Sequence, residues 1–282
     1  MTEIDKRLNA YRPDLADARL KGLVTAKSFT EGRLMQVSEP LISIRSAPRF
    51  DARQLTQALL GEYVRVFDVQ EGWAFVQLER DRYVGFAASD ALTLEIAEPT
   101  HLVSVPSTFL YPAPDLKTQP VIVATLNAAV TVTGGDEKFA QISNGHFVYA
   151  PHTKPIGEFH TDFVAVAEMF RHVPYYWGGK SAHGLDCSGL LQLSLEACGI
   201  GCMRDSDMQE ENIGERLPVN DLDHLMRGDM VFWDGHVGIM TGRQTLLHAN
   251  GHHMLTLAEP LRHAIDRIAA TGKSITSVKR LQ

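Results

Sequence analysis

The chain has 282 residues, a length that suggests about two domains, or three if some are small. Hydrophobic residues make up 44%, charged residues 22% and aromatic residues 8% of the sequence, and these fractions argue against long disorder, collagen and a coiled coil. The formal net charge of −7 provides no general attraction for phosphate backbones or anionic lipids. We therefore expect neither a nucleic-acid partner nor a membrane partner. The sequence carries no information on oligomeric state.

The N-terminal segment shows no sign of export. It is charged throughout its first residues and lacks the apolar central run of a signal peptide. No stretch of about 18 consecutive apolar residues occurs in the chain, so no transmembrane helix is expected. We expect a cytoplasmic protein whose residues 1–30 form a polar lead-in with a short helical tendency.

Short alternating runs follow the lead-in. They are rich in Val, Ile, Phe and Tyr and are separated by Pro, Gly or Asp: LMQV, LISIR, YVRVFDV, WAFVQL and YVGFA. This pattern is typical of a small antiparallel barrel or sandwich. We place this first barrel at residues 31–97.

A second stretch of the same kind resembles a diverged copy of the first. At a constant offset of 66 residues, similar residues recur: Ala47-Pro48 and Ala113-Pro114, Val64 and Val130, Val66 and Val132, Trp73 and Phe139. Ala87 matches Ala150 at an offset of 63, which predicts that the second copy has lost three residues. Similarity at a fixed offset indicates a duplicated unit. We place the second barrel at residues 98–156.

The C-terminal part has a different organisation, which we assign to one domain at residues 157–282. Thr161 or Asp162 can cap a helix with apolar residues spaced by three and four. A second helix is predicted to begin near Cys187 and to stop at Gly199 and Gly201. The remaining runs alternate as β-strands do: DMVFW, HVGIM, TLLHA, MLTLAEPL and ITSVKRL. Helices followed by antiparallel strands predict an α+β domain.

The three cysteines, Cys187, Cys198 and Cys202, are too few and too close together to form a disulfide framework. Cys198 and Cys202 form a C-x3-C pair with no second pair, so a structural zinc site lacks ligands and ordinary thiols are expected. Cys187 stands where a helix begins, and the helix N-terminus favours a thiolate. A histidine close to it would lower its pKa further.

Two histidines can serve that thiol. His236 opens the run HVGIM, and His248 follows 12 residues later in TLLHA. Two strands joined by a short turn could place both side chains on one side of the sheet, with His236 as the base and His248 as its orienting residue. The alternative is a small buried cysteine in a helix core, with histidines that are only partly exposed polar residues.

Six blocks of this domain agree with one known family in order, residue type and approximate spacing. They are PYYWGG at 174–179, DCSG at 186–189, RDS at 204–206, GDMVFW at 228–233, HVGI at 236–239 and HA at 248–249. The domain resembles the NlpC-type cell-wall cysteine peptidases. The barrels resemble the bacterial Src-homology-3-like (SH3-like) barrels that often precede this domain, mainly through LISIRSAP at 41–48 and GW at 72–73.

The resemblance implies an α+β, papain-like cysteine peptidase domain preceded by two small all-β SH3-like barrels. It implies a triad of Cys187 as nucleophile, His236 as base and His248 as orienting residue, with the Tyr175 hydroxyl near the oxyanion. Asp186, Ser188 and Ser206 would line the substrate cleft. Such chemistry uses no metal and no cofactor, because the thiolate attacks the amide carbon directly.

The C-terminal histidines are also possible metal ligands. His248 and His252 could bind zinc if they lay on one helix, but Asn250-Gly251 between them favours a hairpin turn. We therefore predict no metal site.

The family's usual substrate is the γ-D-glutamyl bond to an L-diamino acid in murein stem peptides. A recycled fragment such as L-Ala-γ-D-Glu-diaminopimelate also has an ammonium group, for which Asp186 is a candidate partner. In relatives with front barrels, the first barrel supplies another acid and a tyrosine, and Glu62 and Tyr83 resemble those positions. For both, the alternatives are a solvated turn residue and a barrel-packing residue.

We therefore expect a cytoplasmic dipeptidyl-peptidase that trims murein peptides in cell-wall recycling. The preference between diaminopimelate and Lys stays open. One alternative is an exported murein endopeptidase or amidase that binds the wall through its barrels. A second is a catalytically silent module that binds cell-wall peptides, and an acyltransferase of the same fold is a more remote one.

Overall fold

The computed structural model describes residues 4–219 and 222–282. The chain folds as two compact units, Met1–Ile156 and Gly157–Gln282. None of the helices described in these ranges is long and apolar enough to cross a membrane.

The N-terminal segment is not the helical lead-in that its polar composition predicts. Its strands β1 (Leu15–Asp17) and β2 (Ser28–Thr30) pair in parallel around one short 3-10 turn. Ala10 packs with Phe67, Phe75 and Val84 of the first barrel. The segment owes its structure to the few apolar side chains that it buries on the barrel, a contribution that a local pattern does not reveal.

The first barrel is a single sheet of seven strands. They are β3 (Arg33–Val37), β4 (Leu41–Arg45), β5 (Gln54–Leu59), β6 (Tyr63–Gln70), β7 (Trp73–Leu78), β8 (Val84–Ala88) and β9 (Leu92–Thr93). Their spatial order is β5-β4-β8-β7-β6-β3-β9. Alternating apolar residues such as Ile42 and Ile44 are buried, whereas their neighbours are half-buried.

The second barrel consists of two sheets. Its strands are β10 (His101–Val103), β11 (Ser107–Tyr111), β12 (Ile122–Thr125), β13 (Ala129–Val130), β14 (Val132–Gly135), β15 (Phe139–Ile142), β16 (Phe147–Tyr149) and β17 (Thr153–Pro155). Their orders are β13-β10-β17 and β12-β11-β16-β15-β14. The pairings repeat those of the first barrel: β11 lies between β12 and β16 as β4 lies between β5 and β8.

The strand register supports the duplication residue by residue. Leu41 pairs with Leu59 in the first barrel, and the residues 66 positions later, Ser107 and Thr125, pair in the second. The predicted loss of three residues is wrong. Trp73 pairs with Ala88 and the equivalent Phe139 pairs with Tyr149, so the offset falls from 139 − 73 = 66 to 149 − 88 = 61. The second copy has therefore lost five residues, from the hairpin that these two strands form.

The two barrels share a hydrophobic core. Leu59 and Leu60 of the first barrel belong to a buried cluster that otherwise consists of residues of the second. The N–H of Ala129 donates to the carbonyl oxygen of Leu60 at 2.8 Å. Gly61 has a φ of +78°, and a Cβ atom there would lie 2.1 Å from the Ala129 carbonyl oxygen. Close backbone contact at this turn therefore requires glycine.

The second unit has the α+β organisation expected from the sequence. Its helices are α1 (Phe163–Glu168), α2 (Cys187–Glu196), α3 (Ser206–Asn212) and α4 (Leu261–Ala269). Its strands are β18 (Lys180–Ser181), β19 (Gly184–Leu185), β20 (Glu215–Leu217), β21 (Met230–Trp233), β22 (His236–Met240), β23 (Thr245–Asn250), β24 (Leu255–Pro260) and β25 (Ile275–Arg280). Six of them form an antiparallel sheet in the order β20-β25-β21-β22-β23-β24.

Helices α3 and α4 were not predicted. In α4 the pattern was present, because Leu261, Ala264, Ile265 and Ile268 recur at helical spacing and pack on one core cluster. Helix α1 begins as predicted: Asp162 Oδ1 accepts the N–H groups of Val164 and Ala165. Helix α2 packs against β22 and β23 and so brings its first turn to the strands that carry the two histidines.

Candidate active site

Cys187 is the first residue of α2, and the preceding Asp186 caps this helix. Asp186 Oδ1 accepts the N–H of Gly189 at 2.7 Å, which satisfies one of the N–H groups left open at a helix start. Gly189 is needed here because a Cβ atom would lie 2.1 Å from the carbonyl oxygen of Gly179. The thiol is therefore presented by a helix start that a side-chain cap and a close backbone contact hold in place.

Asp186 is also one half of a buried ion pair. Arg204 is 1% exposed and donates to both carboxylate oxygens, from Nη1 at 3.0 Å and from Nη2 at 2.8 Å. The N–H of Gly178 and the hydroxyl of Ser188 donate to the same carboxylate at 2.8 and 3.2 Å. These charge-assisted bonds satisfy the buried acid. Asp186 thus organises the segment before the thiol, and its contact with a substrate ammonium stays a prediction.

The thiol of Cys187 lies beside the start of β22. The residue is buried, and the N–H groups of Val237 and Ser188 hydrogen-bond its sulfur. Burial, and secondly the Asp186 carboxylate, raise the pKa of the thiol to about 12 against these two N–H groups. The predicted low pKa is wrong for this structure, because desolvation of a thiolate outweighs the effect of the helix terminus.

His236 and His248 are joined by a hydrogen bond. Nε2 of His236 in β22 lies 2.8 Å from Nδ1 of His248 in β23. On the other side, Nε2 of His248 lies 2.8 Å from Oε1 of Glu259 in β24. Alternation along two neighbouring strands thus places both imidazoles on one side of the sheet, as expected, and adds a carboxylate to them.

The carboxylate of Glu259 determines which nitrogens carry hydrogen. A carboxylate only accepts hydrogen bonds, so His248 donates to it from Nε2 and accepts at Nδ1. The hydrogen between the two rings then comes from Nε2 of His236. Nδ1 of His236 is left with a lone pair, which is the form a general base requires.

Both histidines are neutral at ordinary pH. Burial lowers the pKa of His236 to about 3, and the neighbouring His248 and the cations of Arg267 and Lys273 disfavour its protonation in addition. Burial also lowers the pKa of His248, against its hydrogen bond to Glu259. The resting site therefore contains a neutral thiol and a neutral imidazole, and the charged pair has to form during the reaction.

Tyr175 lies near the thiol, in a loop held by backbone bonds. Its N–H donates to the Met254 carbonyl at 3.0 Å, and a β-bridge joins it to Leu185. Burial, and then the neighbouring Cys187 and Asp186, raise the pKa of its phenol above the ordinary value. The hydroxyl is therefore a neutral donor over the working pH range, and its role at the oxyanion stays a prediction.

The remaining predicted residues of the second unit lie around the same helix start. Ser188 follows the nucleophile and accepts from Arg204 Nη1 at 2.8 Å. Ser206 is the half-buried first residue of α3. Gln209 ties α3 to this region, because its Nε2 donates to the carbonyl oxygen of Ser188 at 2.9 Å and to that of Met203 at 2.8 Å. That Ser188 and Ser206 line the substrate cleft stays a prediction.

Glu62 and Tyr83 belong to the first unit and are both 3% exposed. Glu62 Oε1 lies 3.2 Å from Nε of Arg80, and the N–H of Tyr83 donates to Asp81 Oδ1 at 3.0 Å. The solvated-turn alternative for Glu62 is wrong, since the residue is buried. Their part in binding substrate stays a prediction.

Sequence reasoning missed Glu259 and also Arg267 of α4. Arg267 forms an ion pair with Glu259 Oε1, the oxygen that contacts His248. Sequence reasoning also assigned no role to Arg204, although this residue stands in the RDS block. No local motif marks Glu259, which becomes recognisable only from the sheet register, where it pairs with Leu246 two residues before His248.

The described residues, 4–219 and 222–282, contain no group of three or more His, Cys, Asp or Glu side chains arranged to hold a metal ion. His248 uses both ring nitrogens for the hydrogen bonds above. His252 lies after the end of β23 and stacks edge-on against His253 at 4.6 Å, so it does not share a helix with His248.

The chain matches two known domain families. Residues 44–92 match the bacterial dipeptidyl-peptidase Sh3 domain, and residues 172–267 match the NlpC/P60 family. These matches confirm an SH3-like domain in the first barrel and an NlpC-type domain in the C-terminal part. They also confirm the assignment of the chain as a cysteine-type hydrolase.

Three relatives match over most of the chain. The gamma-D-glutamyl-L-lysine dipeptidyl-peptidase of Bacillus cereus is 28% identical over 69% of this chain and 66% of its own length. The enzyme of the same name from Bacillus subtilis is 28% identical over 73% of this chain and 77% of its own. Dipeptidyl-peptidase 6 of Lysinibacillus sphaericus is 24% identical over 74% and 85%.

Solved structures confirm the fold. An NlpC/P60 family protein from Bacillus cereus superposes with a TM-score of 0.74 at 22% identity, covering 88% of this chain and 99% of that one. An NlpC/P60 endopeptidase from Photobacterium damselae subsp. piscicida has a TM-score of 0.59 at 13% identity, covering 88% and 71%. At these identities the likeness concerns the α+β fold with its SH3-like barrels.

Proposed function

We propose that this chain, residues 172–267 of which match the NlpC/P60 family, hydrolyses the γ-D-glutamyl–L-diamino acid bond of murein stem peptides. The observation that carries the proposal is the 2.8 Å hydrogen bond between His236 and His248. The residue after His236, Val237, directs its backbone N–H at the Cys187 thiol. The choice of bond is supported by two relatives at 28% identity, both named gamma-D-glutamyl-L-lysine dipeptidyl-peptidase.

In the first half of the reaction, the Cys187 sulfur attacks the γ-carbonyl carbon of the D-glutamyl residue. As the S–C bond forms, the thiol proton passes to Nδ1 of His236 and the carbonyl π pair moves onto oxygen. The C–N bond then breaks, and the leaving amine takes the proton from the imidazolium. A γ-D-glutamyl thioester and the amine product result.

In the second half, water hydrolyses the thioester. His236 Nδ1 takes a proton from the water, whose oxygen attacks the thioester carbon, and the sulfur leaves with the S–C electron pair. The imidazolium then returns its proton to the sulfur. Because thiol and imidazole are both neutral at rest, each proton transfer is coupled to the attack that it assists.

The tetrahedral oxyanion needs a donor that stays protonated. Tyr175 meets this requirement, because burial raises the pKa of its phenol. We assign the Tyr175 hydroxyl to the oxyanion, with the start of α2 nearby as a further source of N–H donors.

We further propose that the substrate is a short peptide with an unmodified N-terminal L-Ala, such as L-Ala-γ-D-Glu-diaminopimelate. Its ammonium requires acidic partners. We assign this task to Asp186, and the family resemblance adds the carboxylate of Glu62 and the hydroxyl of Tyr83 to the proposal. Glu62→Gln would then raise KM for the peptide with an open amine more than for its N-acetylated form.

The compartment we propose is the cytoplasm, where such peptides would be consumed in cell-wall recycling. The three cysteines form no disulfide, in agreement with a reducing compartment. Fractionation of cells that express the tagged chain tests this point. Recovery from the medium or the cell envelope would favour the exported endopeptidase that uses its barrels to bind the wall.

The activity is tested with the peptides L-Ala-γ-D-Glu-diaminopimelate and L-Ala-γ-D-Glu-L-Lys and with their N-acetylated forms, followed by mass spectrometry of products. We expect release of the dipeptide from the unmodified substrates. Cys187→Ala and His236→Ala should lower kcat by roughly 10³-fold or more. Cys198→Ala is the matched control, a thiol outside the site whose loss should leave kcat unchanged.

Full hydrolysis by Cys187→Ala would remove the nucleophile assignment. Equal cleavage of unmodified and N-acetylated peptides, or release of fragments from purified sacculi, would remove the dipeptidyl-peptidase part alone. Binding of the peptides without turnover would favour the silent module.

A further inference from the structure

Beyond the Cys-His-His triad, the structure shows two more residues in the same line of contacts. His248 is 0% exposed, and its Nε2 lies 2.8 Å from Glu259 Oε1. Arg267 Nη2 donates to that same oxygen. The line therefore runs from His236 in β22, through His248 in β23 and Glu259 in β24, to Arg267 in the last turn of α4.

We propose that Glu259 is a positioning residue that fixes the tautomers of both histidines, and that Arg267 holds this carboxylate in place and ionised. This inference rests on the proposed hydrolysis, in which His236 must present an unprotonated Nδ1. It adds a function to two residues that the triad does not include. Neither residue needs to touch substrate for that function.

The tautomer argument depends on what each group can accept or donate. An ionised carboxylate has no hydrogen to give, so His248 must donate from Nε2 and can only accept at Nδ1. If a neutral group that can both donate and accept replaced the Glu259 carboxylate, His248 could carry its hydrogen on Nδ1 and accept a hydrogen bond at Nε2. His236 would then place its hydrogen on Nδ1, where the proton of the thiol has to arrive.

The positive charge of Arg267 also affects the protonation of His248. The Glu259 carboxylate alone would attract a second proton to His248, and the doubly protonated ring would donate to His236 in the wrong direction. The cation of Arg267 opposes that protonation. Burial raises the pKa of Glu259, but the hydrogen bond with His248 and the electrostatic effects of His248, Arg267 and His253 lower it overall, so the carboxylate stays ionised.

The other charged groups around the pair come from two neighbouring segments. His253 acts on both His248 and Glu259 from the segment between β23 and β24. Lys273, which follows α4, acts on His236, while its Nζ lies 3.3 Å from Asp234 Oδ2. Arg267 is the cation in direct contact with the carboxylate, so its removal should have the larger effect.

The decisive experiment compares Glu259→Gln, Glu259→Asp and Arg267→Gln in the full chain, with L-Ala-γ-D-Glu-diaminopimelate as substrate. We expect Glu259→Gln to lower kcat by roughly 10- to 100-fold at nearly unchanged KM, and Glu259→Asp to recover part of the loss. Arg267→Gln should move the acid limb of the pH–rate profile to higher pH, because loss of a positive charge favours protonation of the histidines.

Arg262→Gln is the matched control, since Arg262 lies on the same helix in an exposed ion pair with Asp266. It should leave both kcat and the acid limb unchanged. Thermal unfolding of each variant shows whether the fold is retained, and nitrogen NMR of labelled histidine reads the tautomers without turnover. The expected spectrum has hydrogen on Nε2 of both rings in the wild type and a mixture in Glu259→Gln.

An unchanged kcat in Glu259→Gln, or unchanged tautomers by NMR, would overturn the inference while leaving the hydrolysis intact. If the wild-type chain cleaves none of the peptides, the proposed function fails, and the NMR comparison still decides the role of Glu259. An acid limb that moves equally in Arg262→Gln and Arg267→Gln would remove the specific role of Arg267.

Discussion

Two acid–arginine pairs, one buried and one half-buried, flank the reacting groups, and they are built differently. Asp186 and Arg204 meet through two parallel hydrogen bonds, and further donors surround the acid. Glu259 instead shares one oxygen between Arg267 and an imidazole. Arg204 is 1% exposed, whereas the Arg267 side chain is 22% exposed.

One pair supports the local structure around the nucleophile, and the other controls the position of a proton. The Asp186 pair binds backbone N–H groups and a serine, so it holds the loop and the helix start that present the nucleophile. The Glu259 pair contacts the imidazole of His248, and the position of the hydrogen on this ring determines the tautomer of His236. Removal of the first pair should therefore act mainly on stability, and removal of the second mainly on kcat.

The largest effect on stability is expected for Arg204→Met. The change leaves Asp186 as a buried charge without its cation, which costs about 3–5 kcal/mol of unfolding free energy. Urea unfolding of the full chain measures it. A loss below about 1 kcal/mol would show that the pair is not the support we describe, whatever happens to kcat.

The next prediction concerns the pH at which the Cys187 thiol ionises. The pKa of Cys187 is raised to about 12, by burial first and by the Asp186 carboxylate second. We expect the ultraviolet thiolate absorbance of the wild type minus that of Cys187→Ala to be absent at neutral pH and to appear only in strong alkali. A difference signal already present in mild acid would mean that the resting site contains a thiolate–imidazolium pair.

A smaller effect is expected in acid. The pKa of Glu259 is lowered from its ordinary value of 4.5 in the folded chain, because its contacts with His248 and Arg267 outweigh the opposing effect of burial. Its contribution to stability is therefore complete above the unfolded pKa and is lost as pH falls through the lower folded value. The difference in unfolding free energy between the wild type and Glu259→Gln should narrow on acidification, and a difference that stays constant over the acid range would contradict this expectation.

The smallest effect is expected at an exposed pair. Arg227 Nη2 lies 2.9 Å from Asp162 Oδ2, with side chains 38% and 48% exposed. Arg227→Met should change the unfolding free energy by about 0–1 kcal/mol, because solvent screens such pairs. A loss as large as that of Arg204→Met would show that burial does not distinguish the two sites.

Much of the fold could be predicted because its elements follow local rules. Alternating residues mark the barrel strands, Asp162 marks the start of α1, and Cys187 marks the start of α2. The N-terminal segment was mispredicted because its strands depend on burial against the barrel. The length of the deletion in the second barrel was mispredicted because similarity between short strands does not specify their register.

The sequence by itself determined the α+β class, the two barrels, and the candidates Cys187, His236 and His248, because spacing along the chain and helix starts are local properties. Only the tertiary structure decided the electrostatics of the site. Burial raises the pKa of Cys187 and lowers that of His236. Only the sheet brings Glu259 to His248, since strand pairing joins residues whose distance in the chain says nothing about their contact.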